Sequence, residues 1–183
     1  MDNYKNIKQY RHKGHDYSKN GFYFVTICVK NRQMLFGEIR DNRFVANKIG
    51  EIVEMQWREI AKNYPFVNLD EHVVMPNHFH GILEIDMSVQ EKNAPRRVPT
   101  EVFQSPKGIA PLVANSLSSI INHFKGGVKK FCNQNGMEYF SWQPRYYDRV
   151  IRNEVELSNI REYIKNNPLK WEIDRNNIDD LYM

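Results

Sequence analysis

The chain has 183 residues, 41% hydrophobic and 26% charged, with a formal net charge of +4. That balance excludes an intrinsically disordered chain, and the length suits one ordinary domain with a core of its own. The mild positive charge favours anionic partners, and 10 Tyr, 10 Phe and 3 Trp supply rings able to stack on unpaired bases. Cys28 and Cys132 have no CxxC partner, which excludes a zinc ribbon or a disulfide scaffold. The longest apolar stretch, Phe22 to Val29, is too short to span a bilayer, and the first residues carry no signal-peptide core. A cytoplasmic protein with no membrane partner is expected.

Residues 1–20 read as a basic, irregular arm containing Lys5, Lys8, Arg11, Lys13 and Lys19. Phe22 to Val29, rich in aromatic and β-branched residues, predicts a strand. Gly37 to Val45, with Arg40-Asp41-Asn42 at its centre, predicts a small hairpin. Ile49, Ile52, Val53, Trp57 and Ile60 follow helical spacing, so a helix is expected over 47–61, closed by Pro65. Two strands follow, at 66–75 and 78–86. Residues 87–110, with Pro95, Pro99, Pro106 and Gly108 among charges, predict a flexible insertion. Leu117, Ile120, Ile121, Phe124, Val128 and Phe131 mark a second helix. A strand is expected over 145–151. A last helix is expected over 153–167, capped by Asn153 with Glu156 at its third position and stopped by Pro168.

Without the hairpin, the order is β-α-β-β-α-β-α, and its first six elements match a split βαβ unit. The expected fold is α+β: one ferredoxin-like antiparallel sheet with an additional C-terminal helix. The whole of 1–183 would form a single domain, carrying the basic arm (1–20) and the insertion (87–110). Such a fold hosts many activities, so function has to be read from a site.

That site begins at His78-Phe79-His80. In a strand, side chains two apart share a face, so both imidazoles would stand together while Phe79 points into the core. Two neutral imidazoles make half of a metal site. On the last helix Tyr163 and Asn167 are four apart, hence on one flank and about 6 Å apart along the axis. If that helix covers the histidine face, His78, His80 and Asn167 could hold a divalent ion with open positions for phosphate oxygens. Tyr163 could then attack an aligned phosphodiester. The competing reading is a pair of hydrogen-bonded structural histidines in a non-catalytic ferredoxin-like nucleic-acid-binding module.

Three ordered motifs carry a resemblance over roughly 22–171. Met75-Pro76-Asn77-His78-Phe79-His80, Trp142-Gln143-Pro144-Arg145-Tyr146-Tyr147-Asp148 and Tyr163-Ile164-Lys165-Asn166-Asn167-Pro168 resemble the HUH single-tyrosine transposases. Among these the chain is most similar to the REP-associated tyrosine transposases. The resemblance implies that His78 and His80 are the metal ligands, Asn167 the third ligand and Tyr163 the nucleophile. It also implies Mg²⁺ or Mn²⁺, where imidazole ligands alone would suggest a softer ion such as zinc. The implied reaction is cleavage and strand transfer of single-stranded DNA or a DNA hairpin through a 5′-phosphotyrosine link. A domesticated member serving the host would keep the same site. Relatives place the tyrosine helix over their own subunit's site or a partner's, so a monomer and a homodimer both fit.

Candidate DNA contacts follow from charge and alternation. Arg145, Tyr147 and Arg149 would share one strand face, with Arg152 just beyond; phosphate contacts and base stacking suit them, and a solvated edge is the alternative. Arg11 and Lys13 of the arm could grip a hairpin. Lys125, Lys129 and Lys130 read as an ordinary solvent face, Trp142 as packing, and His72 and His123 as structural.

Overall fold

In the computed structural model, residues 16–89 and 113–174 are described, with side chains as far as Trp171. The elements are β1 (Gly21–Cys28), β2 (Gly37–Arg40), β3 (Arg43–Ala46), α1 (Lys48–Asn63), β4 (Val67–Met75), β5 (His78–Ile85), α2 (Leu117–Gln134), β6 (Tyr147–Ile151) and α3 (Glu154–Asp174). β2 and β3 form a separate hairpin, turned by Asp41 and Asn42 at φ 50° and 59°. Two successive left-handed residues give the turn whose twist suits a two-residue hairpin.

The main sheet runs β4-β5-β1-β6, each neighbouring pair antiparallel. Counted without the hairpin, its strands lie in the order second, third, first, fourth, which is the expected split-βαβ arrangement. Alternation then sorts the side chains. Tyr23, Val25, Ile27, Phe79, Leu83 and Ile85 enter a large apolar core with residues of α1 and α2 such as Trp57 and Phe124. Phe24, Ile82 and Ile151 face the other way and meet Leu157, Ile160 and Ile164 of α3. Gly81 permits the close packing beneath the histidines: a Cβ there would lie 2.6 Å from the Trp57 ring.

Local signals set the helix starts. Asn47 Oδ1 accepts from the Ile49 and Gly50 amides at 2.9 and 3.1 Å, capping α1. Asn153 Oδ1 accepts from the Glu156 amide at 2.9 Å, while Glu156 Oε2 reaches back to the Arg152 amide at 3.0 Å. That reciprocal pair starts α3 where the sequence places it.

Three local expectations differ. Pro168 does not stop α3, which continues to Asp174 with the proline inside it. A proline lacks the amide donor and disfavours a helix interior, but the next turn is anchored by Trp171, buried against His78. Second, β6 begins at Tyr147, because Arg145 adopts φ 69° and breaks the extended run. Third, Lys125 and Lys129 are not a plain solvent face. Lys125 Nζ donates to the carbonyls of Gln143 and Arg145, and Lys129 Nζ to those of Glu138 and Phe140. They stitch α2 to the segment that leads into β6. Arg11 and Lys13, and the insertion from residue 90 onward, lie outside the described residues. Among the described residues no helix is long and apolar enough to cross a membrane.

Candidate functional site

The register of the sheet builds the site. Thr26 pairs with His80 and Cys28 with His78, so β1 and β5 present both imidazoles on the face that α3 covers. Their ring centroids are 4.6 Å apart, and both residues are fully buried. Phe24 stacks on His80 at 5.3 Å and meets the Tyr163 ring edge-on at 6.2 Å. Tyr163 Oη lies 3.4 Å from His80 Nε2 in the same chain. Trp171, eight residues further along α3, packs against His78 at 5.9 Å. Asn167 is buried midway between them in sequence. Tyr163, Asn167 and Trp171, spaced by fours, therefore form one row along the histidine pair.

Two neighbours orient the imidazoles. Asn77 Oδ1 can only accept, so His78 Nδ1 carries the hydrogen and donates it at 2.7 Å. His78 Nε2 then holds a lone pair, and it is buried without a hydrogen-bond partner. His80 Nδ1 lies 2.8 Å from Thr26 Oγ1. With that hydrogen donated to Thr26, His80 Nε2 keeps its lone pair toward Tyr163. Histidines that ligate metals are commonly held in this way by a partner on the far nitrogen. Sequence reading missed both partners. Asn77 was visible beside the motif, whereas Thr26 needed the strand register.

Burial shapes the electrostatics. Desolvation holds His78 well below the ordinary imidazole range, with His80 and Arg32 adding to the effect. Desolvation, helped by Arg32, lowers His80 to about 3. Both rings are thus neutral near pH 7, the form that offers lone pairs to a cation. Among the described residues no three His, Cys, Asp or Glu side chains gather as metal donors. A third protein donor here would be an amide, and Asn167 is the buried amide on the covering helix. An orphaned, inward-facing Nε2 beside a second imidazole fits a divalent ion.

The proposed DNA contacts divide. Tyr147 and Arg149 pair with Thr26 and Phe24, which puts them on the site face of the sheet. Arg149 also pairs with Glu156 at 2.6 Å. Arg152 follows the strand in the turn to α3, and Arg145 precedes it in its left-handed conformation. His72 pairs with Glu54 at 2.9 Å and His123 with Tyr64 at 3.0 Å, away from the imidazole pair.

Helix α3 is held over the site by a small apolar stripe and by ion pairs to β4. Arg161 pairs with Asp70 through Nε–Oδ1 at 2.9 Å, and Lys165 with Glu71 at 2.9 Å. The Arg161 guanidinium keeps the Asp70 carboxyl below its usual range.

No family model matches the chain. An uncharacterized protein of Haemophilus influenzae is 40% identical over 171 residues, covering 92% of each chain. A second protein of that organism, named "Putative REP-associated tyrosine transposase", is 22% identical over 158 residues, covering 85% of this chain and 74% of its own. A solved REP-associated tyrosine transposase, bound to a REP hairpin, shares the fold with a TM-score of 0.57 and 21% identity. That likeness covers 90% of this chain and 74% of the other. Motifs, fold and relatives point one way: the chain is similar in sequence to a protein named as a REP-associated tyrosine transposase and shares the fold of a solved one.

Proposed function

We propose that this protein cuts and rejoins single-stranded DNA, presented as a strand or hairpin, with Tyr163 as nucleophile. The observation that carries the reading is the Tyr163 hydroxyl 3.4 Å from His80 Nε2, in a chain whose second imidazole nitrogen at that site is orphaned. His78, His80 and Asn167 would hold Mg²⁺ or Mn²⁺, whose bound charge would polarise the phosphodiester and offset charge in the transition state.

The remaining work falls to the protein. The Tyr163 oxygen forms a bond to phosphorus and the bond from phosphorus to the 3′ oxygen breaks. The phenolic proton is released to solvent, and the departing 3′ oxygen takes up a proton. The products are a 5′-phosphotyrosine and a free 3′-hydroxyl, and attack by a 3′-hydroxyl reverses the step and joins strands. Phe24 fixes the rings of His80 and Tyr163, and positioning of this kind supplies much of the catalysis in phosphoryl transfer. Tyr147 and Arg149 would contact the strand beside the site.

The test is a covalent adduct. Labelled single-stranded hairpins, incubated with the protein and Mg²⁺ or Mn²⁺, should yield a protein–DNA species resistant to denaturation. Tyr163→Phe should reduce it at least about 1,000-fold while retaining DNA binding. An adduct that survives this substitution would rule out the nucleophile, and binding without any adduct would favour the non-catalytic module.

A further inference from the structure

The strand that leads into α3 carries a further arrangement on the site face. Arg149 of β6 stands directly opposite Phe24 of β1, the ring that contacts both His80 and Tyr163. Residues opposed across an antiparallel pair share a face, so Arg149 leaves the outermost strand of the sheet on the same side as Phe24. There it meets Glu156 of α3, with Nε 2.6 Å from Oε1. The other carboxylate oxygen, Oε2, accepts from the Arg152 amide at 3.0 Å and closes the cap of the helix. One carboxylate thus holds a cation of the sheet with one oxygen and the start of the tyrosine helix with the other.

The two partners differ in exposure. The Glu156 side chain is 16% exposed, whereas that of Arg149 is 53% exposed. An ion pair so open to water contributes little to stability. What it does is restrict a long side chain that would otherwise sample many rotamers, in a place where an anion from solvent can still meet it. Glu156 and Tyr163 are seven residues apart, two turns of helix, so they lie on one face about 10 Å apart along the axis. An anion held by Arg149 is therefore a neighbour of the phosphate that Tyr163 attacks, not that phosphate itself.

We propose that Glu156 is a positioning residue: it aims Arg149 at a backbone phosphate flanking the scissile one, and through its second oxygen ties that grip to the helix that carries Tyr163. The inference rests on the reading of the site as a DNA-cleaving centre. A guanidinium has five N–H donors, so contact with Glu156 leaves others for a phosphate. Capture of the strand and placement of the nucleophile then depend on the same carboxylate.

Glu156→Gln separates the two roles, because a glutamine still completes the cap but no longer holds a cation by charge. Its urea midpoint should stay close to the parent's. In single-turnover reactions at saturating hairpin, with Mg²⁺ or Mn²⁺, Glu156→Gln should slow adduct formation about 10-fold, a coupling of ordinary size for groups in contact. In an Arg149→Gln background the same change should alter the rate less than about twofold, because its effect runs through Arg149. Hairpin binding is then measured against salt in a Tyr163→Phe background. There Arg149→Gln should reduce the slope of log affinity against log salt by about 0.7, one single-strand phosphate contact. A carboxylate that serves the helix alone would leave Glu156→Gln at the parent's rate, and one that acts apart from Arg149 would slow both backgrounds equally. Either result, or an unchanged salt slope in Arg149→Gln, overturns the inference. A parent protein that forms no adduct overturns the cleavage reading itself, and the salt slope then still decides whether Arg149 meets phosphate.

Discussion

On one face of the main sheet, Tyr23, Val25, Ile27, Phe79, Leu83 and Ile85 lock into a continuous apolar layer beneath α1 and α2. On the other, Phe24, Ile82 and Ile151 meet the smaller Leu157, Ile160 and Ile164 stripe of α3, with Thr26, His78 and His80 buried beside them. The same strands thus carry the larger apolar core on one side and the candidate site on the other. Helix α3 completes the site but rests on the thinner layer, helped by ion pairs to Asp70 and Glu71. Both imidazoles are fully buried beneath that layer, and elements with few apolar contacts are the ones that open locally.

The contrast is tested most strongly by emptying each layer. Phe79→Ala should cost about 3–5 kcal/mol and lower the denaturation midpoint of the whole protein. Ile160→Ala should cost about 2 kcal/mol, and hydrogen exchange should quicken in α3 while β1 and β5 stay protected. Equal global losses from the two substitutions would show that the faces are not distinct.

A smaller effect comes from the buried imidazoles. Unfolding restores ordinary basicity to His78 and His80, so the unfolded chain binds more protons below about pH 6.5. For His80, whose native value is about 3, stability should therefore fall as pH drops through 6.5 and go on falling toward 3. The slope approaches about 1.4 kcal/mol per pH unit for each proton taken up. Urea melts between pH 6.5 and 5, with a chelator present, isolate this from Asp70 and Glu54, whose lowered carboxyls act at more acidic pH. His80→Asn should remove its share of the slope; an unaltered slope would contradict burial as the cause.

The least costly change is Arg161→Ala. The Arg161 side chain is 37% exposed, so the pair with Asp70 should contribute about 1 kcal/mol. Adduct formation should nevertheless respond, because the pair steadies the helix that carries Tyr163. A stability loss well above that figure would mean that α3 is held chiefly by charge.

These differences also explain what the sequence could and could not reveal. The strand period alone puts His78 and His80 together and sends Phe79 to the core, and the four-residue spacing alone puts Tyr163 and Asn167 on one flank. Those features depend on local geometry. Thr26 as the partner of His80 depends on how β1 pairs with β5, and no short-range pattern carries that register. The continuation of α3 through Pro168 depends on Trp171 finding His78, a tertiary contact that outweighs a local signal. Lys125 and Lys129 look solvent-facing on a helical wheel because the carbonyls they reach, from Glu138 to Arg145, belong to a segment not periodic enough to place.

The indole of Trp171 gives the molecule a natural optical gauge. Its ring lies 5.9 Å from that of His78, whereas Trp57 and Trp142 belong to the opposite layer of the sheet. Emission that disappears on Trp171→Phe thus originates beside the imidazole pair. Quenching of that emission by paramagnetic manganese would follow filling of the centre directly, before any strand of DNA is added.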